Sequence, residues 1–337
     1  MPSLFPLTGA AAGPAELAAT AGAAALVAAL GLALLFRHAS RLPQALPNAR
    51  TLHQRPVCRV GGLSVWAGWL AAMALAGAAL PGGGAGWAGW GAIAAISLLD
   101  DWRGVAPLPR LGVHLAAAAL AAAALPGVTG VAAVAGAALA LAWSANLFNF
   151  MDGSDGLAAT MAVCGFSALA AGAWLGGAPA APMLALAAAC VPLLIVNAPP
   201  ARMFMGDIGA VPLGFLAALY GLAGWGGGVW PAWFPLLVFL PFIADATVTL
   251  ARRGLGRERV WEAHRSHYYQ RLHQLGAGHR GTLAFFGVLI AGTGSSAVFA
   301  LATGASATWA IGGWMIAIAA VFAGIDYHWR IRQPKQR

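Results

Sequence analysis

The chain alternates between long apolar stretches and short polar ones. Eleven apolar stretches can be marked, at approximately 14–36, 63–81, 84–99, 111–126, 128–146, 157–176, 181–197, 209–226, 230–250, 282–303 and 306–326. A helix needs about 20 apolar residues to cross a bilayer. Several of the stretches are shorter, so ten spans is the alternative count. No internal repeat or long low-complexity linker interrupts the pattern, and the Ala- and Gly-rich tracts suit closely packed helices in lipid. The pattern predicts an all-α polytopic membrane protein, one domain over 1–337 with about eleven transmembrane helices.

Composition agrees. The chain is 60% hydrophobic and 9% charged, with a mean hydropathy of +0.76, whereas a soluble domain carries about 25% charge. The first basic residue, Arg37, follows the first apolar stretch. A signal peptide needs positive charge before its apolar run, so this stretch reads as a retained helix with a periplasmic N-terminus. Connections numbered from there place 37–62, 100–110, 147–156, 198–208, 251–281 and the tail after 327 in the cytoplasm. All 19 Lys and Arg fall in these segments and none in the outer turns, which is the positive-inside asymmetry and puts the C-terminus inside. The net charge of +9 is thus a topology signal with attraction to anionic membrane lipid, and predicts no nucleic-acid partner. Cys58, Cys164 and Cys190 show no metal-ligand spacing.

The acids add chemistry. Glu16 and Asp326 lie near membrane boundaries, and Glu258 and Glu262 lie in the long basic connection. Asp100, Asp101, Asp152, Asp155 and Asp207 lie at the cytoplasmic ends of predicted helices, and Asp245 lies about two turns inside one. A carboxylate at the centre of a lipid-exposed helix costs about 2.5–3.5 kcal/mol. Carboxylates converging from separate helices make a site for a hard divalent cation, which would neutralise them. Capping is the plainer alternative: Asp155 and Asp207 each precede an apolar helix, though the adjacent acids of "LLDDWRG" fit it poorly. In "MDGSDGL" and "FMGDIGA", Gly153, Gly156, Gly206 and Gly209 allow tight turns into helix N-termini, whose free N–H groups bind phosphate. In "EAHRSHYYQRL", His264 and His267 are three apart, which predicts one side of a helical turn. Arg265 lies between them and Arg271 follows. Zinc is disfavoured because no Cys or Glu-x-x-His partner accompanies these histidines, so a pyrophosphate clamp is the better use.

At these residues the chain resembles the polyprenyl-phosphate N-acetylhexosamine-1-phosphate transferases, the MraY/WecA-like superfamily of glycosyltransferase family 4. The matching stretches are "HQRPVCRVGGL", "DDWRG", "NLFNFMDGSDGLA", "NAPPARMFMGDIGAVPLG" and "HRSHYYQRL", in family order over nearly the whole chain. The run 242–272 looks most like the subgroup that starts O-antigen synthesis, and lacks the consecutive histidines of the MraY branch. Two positions depart from the pattern: Pro56-Val57-Cys58-Arg59 stands where Pro-x-Pro-Arg is expected, and Ala210 where a Ser is expected. The second loses a hydroxyl near the metal site.

The resemblance implies attack of undecaprenyl or another polyprenyl phosphate on the β-phosphorus of a UDP-N-acetylhexosamine, releasing UMP at the inner face of the bacterial cytoplasmic membrane. It implies Mg²⁺, with Mn²⁺ as the alternative, held by Asp207, Asn149 and Asp152. It assigns Asp100, Asp101 and Asp152 to catalysis, and leaves open whether the adjacent pair orients the lipid phosphate, deprotonates it or joins the metal shell. It places His264, Arg265 and His267 on the diphosphate, and Asn197, Asp155, Arg59 and Asn146 among substrate contacts. A homodimer is compatible with it. A transporter or flippase is the other class, since intramembrane acids also mark ion pathways. Transport acids should however sit near the midplane, and five of the six here sit at one face. A catalytically dead lipid-phosphate binder is a third reading, disfavoured by retention of all five acids in the motifs.

Overall fold

The computed structural model describes residues 13–46, 56–259 and 264–332. Each of the eleven apolar stretches carries helix. The helices are α1 (Pro14–Arg37), α2 (Gly62–Leu75), α3 (Gly83–Arg103), α4 (Pro107–Ala122), α5 (Val131–Met151), α6 (Leu157–Leu175), α7 (Ala181–Asn197), α8 (Asp207–Gly226), α9 (Trp233–Val238), α10 (Leu240–Leu255), α11 (Tyr268–Leu272), α12 (Gly278–Thr303) and α13 (Ala307–Arg332). Among the described residues, six helical stretches are long and apolar enough to cross a membrane. The protein is a multi-pass, all-α membrane protein.

Two features depart from the sequence expectation. The stretch 230–250 is two helices rather than one, α9 and α10, broken at Phe239 (φ −97°, ψ 11°). Pro241 lies in the first turn of α10; it has no N–H to donate to the preceding turn, and its ring crowds the carbonyl four residues back. The first polar connection also holds a short antiparallel pair, β1 (Gln44–Ala45) with β2 (Val57–Cys58). Beyond β2 the backbone is tied to the segment before α8: Phe204 N–H donates to Cys58 O (2.8 Å), Gly61 N–H to Phe204 O (2.9 Å) and Gly62 N–H to Met205 O (2.9 Å).

Helix α8 is the axis of the bundle. It packs against α5, α3 and α2, while α4 covers α3 and α5, α7 joins α1 and α6, and α12 covers α6. Small residues permit this closeness. A Cβ on Gly214 would strike the Ser144 carbonyl, and Ser144 Oγ donates to Gly214 O at 2.7 Å. Four tryptophans, Trp66, Trp69, Trp87 and Trp90, fill the α2–α3 contact. Trp66 donates its indole N–H to Ile208 O (2.7 Å), which ties α2 to the first turn of α8, where the acidic motif begins.

Candidate active site

The ends of α4, α5, α8 and α10, with the segment before α11, enclose a cleft of about 1240 Å³. Six sequence-predicted residues line it: Asn146, Asn149, Asp152, Asp207, His264 and His267. The rest of its wall is largely apolar and includes Leu108, Leu111, Leu115, Leu139 and Trp143. Leu108 and Leu139 are also among the exposed side chains of their helices, so the cleft is polar at one end and opens sideways through an apolar wall.

At the polar end stands Arg110, which the sequence reading counted only as a topology charge. Its guanidinium donates to Asp100 Oδ2 and to Asp207 Oδ2 at 2.8 Å, joining α3, α4 and α8. Asn149 Nδ2 donates to the same Asp207 oxygen at 3.4 Å. Asp100 also accepts from Val105 N–H (2.6 Å).

The neighbouring acid does different work. Asp101 has a fully buried side chain and pairs with Arg59, Nε and one terminal nitrogen donating to its Oδ1 at 2.8 and 2.7 Å. It also accepts the backbone N–H groups of Asp207 (3.2 Å) and Ile208 (2.8 Å). Asp101 of α3 is therefore the cap of α8, and Asp207 is not. Gly206 makes the approach possible: its φ is +73°, and a Cβ there would collide with the Arg59 carbonyl. Neither Arg59 nor Asp101 lines the cleft.

The second glycine turn is also committed internally. Gly156 N–H donates to Asn197 Oδ1 (3.0 Å), and Asn197 Nδ2 donates to Met203 O (2.9 Å). Asp155 Oδ2 accepts Ala201 N–H (2.9 Å), and its Oδ1 lies 3.4 Å from His279 Nδ1. So the expectation of free helix N-termini for phosphate is corrected: Asp101 occupies one, and Asn197 and His279 occupy the other. Asp155 and Asn197 bind the three loops together behind the cleft rather than lining it. His279 was not anticipated.

Asp152 is the exception. Burial first, then the negative charges of Asp207, Asp101 and Asp155, push its carboxyl well above the usual carboxylate range. Among the described residues no cation or hydrogen-bond donor reaches it. The expectation that a metal alone neutralises the acids is thus revised: arginines and backbone N–H groups neutralise Asp100, Asp101 and Asp207, and Asp152 is left. Among the described residues no three His, Cys, Asp or Glu side chains close on one point. The donors at the cleft are two carboxylates and an amide. Such hard oxygens fit Mg²⁺, which usually keeps waters and substrate phosphates in the rest of its shell.

The histidines reach the cleft by another route than predicted. Residues 264–267 are not helical, yet the rings of His264 and His267 stack at 4.9 Å between centroids. Phe150 stacks on His267 at 5.9 Å, and Tyr269 donates its hydroxyl to Phe150 O (2.9 Å). Burial, then the positive charges of His267 and Arg253, holds His264 down to about 4. Arg265 is exposed and its carbonyl accepts from Gln274 Nε2 (3.1 Å); it does not line the cleft. Beneath the histidines, Asp326 of α13 accepts from Arg252 and Arg271 (2.7 and 2.8 Å), while Tyr268 lies flat on Phe322 with ring centroids 3.7 Å apart.

Residues 85–224, which carry Arg110 and all the cleft acids, match the family described as Glycosyl transferase family 4. The chain belongs to this family of transferases. Over 139 residues, 40% of this chain and 39% of the relative, it is 34% identical to the "Probable undecaprenyl-phosphate N-acetylglucosaminyl 1-phosphate transferase" of Bacillus subtilis. Over 315 residues, 79% of each chain, it is 29% identical to the decaprenyl-phosphate N-acetylglucosaminephosphotransferase of Mycobacterium leprae. A third relative, the phospho-N-acetylmuramoyl-pentapeptide-transferase of Heliobacterium modesticaldum, is 42% identical over 89 residues, 26% of this chain and 27% of the relative.

Proposed function

We propose that this protein transfers N-acetylhexosamine-1-phosphate from a UDP-sugar to polyprenyl phosphate at the cytoplasmic face of the bacterial inner membrane. UMP is released, and the polyprenyl-pyrophosphoryl-sugar starts an O-antigen or related envelope glycan. The observation that carries this reading is the divided character of one cleft. Its polar end offers Arg110, His264 and His267 to phosphates, and its apolar wall of Leu108, Leu111, Leu115, Leu139 and Trp143 opens towards lipid. An acceptor with a charged head and a prenyl tail needs both surfaces at once. The relatives' names, which specify a polyprenyl phosphate and an N-acetylated sugar phosphate, point the same way.

In this reading Asp207, Asn149 and Asp152 would hold Mg²⁺. When bound there, the ion supplies neutralisation of the pyrophosphate charge. Arg110 holds Asp207 and Asp100 in place and presents a fixed positive charge to the incoming phosphate. His264, neutral near pH 7, can offer a hydrogen bond without adding charge. The acceptor phosphate oxygen forms the new bond to the β-phosphorus as the bond to the UMP oxygen breaks.

The test is UMP release by detergent-purified protein with polyprenyl phosphate and a panel of UDP-N-acetylhexosamines. Turnover with at least one sugar, lost in EDTA and restored by Mg²⁺ or Mn²⁺, is expected. Absence of UMP release with every sugar would refute the reading, and turnover undiminished by EDTA would remove the metal.

A further inference from the structure

The sequence reading left Asp245 without a role, and no step above uses it. It is completely buried in α10. Its Oδ1 faces His267 Nδ1 (3.1 Å), Tyr268 N–H (2.9 Å) and Thr249 Oγ1 (3.1 Å). Its Oδ2 accepts Tyr269 N–H (2.9 Å). We propose that Asp245 is the positioning residue of the site, fixing His267 through Nδ1 so that Nε2 is the ring nitrogen offered to the cleft. The functional half of this inference rests on the transferase reading; the structural half does not.

The argument is one of satisfiability. An ionised carboxylate has about four acceptor sites and no donor. Here it meets two backbone N–H groups, a hydroxyl and an imidazole nitrogen. The backbone groups can only donate, so to complete the set His267 must carry its proton on Nδ1. A carboxylate placed merely to start α11 would need only Tyr268 and Tyr269. The contact with the ring is additional, and that ring lines the cleft. Orientation is locked from other sides as well. His267 stacks between His264 and Phe150, and its backbone N–H donates to Gln270 Oε1 (3.2 Å).

A chemical consequence follows. With Nδ1 protonated, Nε2 of the neutral ring bears a lone pair, which repels a phosphate oxygen. His267 therefore engages the diphosphate as an imidazolium, with Asp245 as its buried counter-charge. The break at Phe239 has a purpose in this arrangement: it starts α10 afresh and brings Asp245 under the histidine segment.

The experiment uses the full-length protein labelled with ¹⁵N-histidine, with His267 assigned by comparison with His267→Gln. At alkaline pH, wild type should show one neutral tautomer, protonated at Nδ1. In folded Asp245→Ala the Nε2-protonated form should appear. A wild-type ring protonated at Nε2 overturns the proposal whether or not any variant folds. So does a single Nδ1-protonated tautomer persisting in Asp245→Ala. In the UMP-release assay Asp245→Ala should lower kcat/KM by about 10–100-fold, the usual scale for losing a group that orients another. In a His267→Gln background the two losses should not multiply. Full multiplication would make Asp245 a structural residue and defeat the proposal. If wild type releases no UMP, the transferase reading fails, and the tautomer measurement still decides the role of Asp245.

Discussion

Replacing Asp101 by Asn separates two adjacent acids that the sequence could not tell apart. The side chain is fully buried and accepts from Arg59 through two nitrogens and from the N–H groups of Asp207 and Ile208. Asn is nearly the same size, so packing is preserved. Its amide NH₂, in either orientation, must point at a donor that cannot turn away. The change removes charge-assisted bonds worth about 1.5–3 kcal/mol each and leaves Arg59 unpaired beside the cap. Breaking a buried pair in this way costs about 3–5 kcal/mol. At about 2 °C per kcal/mol for a large chain, Tm should fall by roughly 5–10 °C. Asp100→Asn is the control: Arg110 keeps Asp207 as its partner, so stability should change by less than about 1 kcal/mol while turnover falls. The assay is tryptophan-fluorescence melting in detergent beside UMP release on the same preparations. If Asp101→Asn melts within about 2 °C of wild type yet is as inactive as Asp100→Asn, then Asp101 acts in the chemistry and the division of labour is wrong.

Other perturbations probe the same frame. Asp207→Asn should leave a monodisperse, folded protein, because Asp101 and not Asp207 caps α8, while UMP release falls by about 10²–10³; a folded variant keeping more than about a tenth of the rate would take Asp207 out of the metal site. His264, held down to about 4 by burial and by the charges of His267 and Arg253, lies below its ordinary value of about 6.5. Its contribution to stability is therefore present above that value and is lost as pH falls towards 4, so Tm should decline from pH 6.5 to 4 less steeply in His264→Gln, and equal slopes would contradict this. Asp326→Asn removes the charge between Arg252 and Arg271. These pairs are partly exposed and worth about 1 kcal/mol, so the variant should fold normally, show faster trypsin cleavage between 252 and 271, and raise KM more than it lowers kcat.

The helices were legible because lipid imposes their pattern: a buried backbone without water must be helical, and runs of Ala, Leu and Gly mark where. The acidic clusters were legible because a carboxylate beside such runs is costly. What escaped was pairing. Arg110 follows two prolines in a connection where any Arg serves topology, so nothing local distinguished it. The roles of Asp100 and Asp101 could have been phased. The buried face of α3 runs Gly89, Ile93, Ser97, Asp101, a spacing of four that places Asp101 on the inward stripe and turns Asp100 about 100° away. The break at Phe239 was signalled by Pro241 within an apolar run. His264 and His267 were paired for the wrong reason, since their rings meet through an extended segment docked on Asp245 rather than through a helical turn.

The same pairing decides between chemistry and transport. A transporter moves its substrate past the midplane, and its polar groups should continue along the axis of the bundle. In this protein they stop at the first turn of α8. Beyond Asp207 that helix buries Ile208, Val211, Leu213, Phe215, Leu216 and Leu219 against its neighbours. At Gly214 the backbones of α5 and α8 approach so closely that a single Cβ would not fit. Opening a path there would part the most closely packed helices of the molecule and unfasten Ser144 from Gly214. The cleft is open instead to the side, past Leu108 and Leu139. A substrate entering from lipid can therefore bring its head group to Arg110 and leave by the same route, which suits a reaction at the membrane surface and not passage across it.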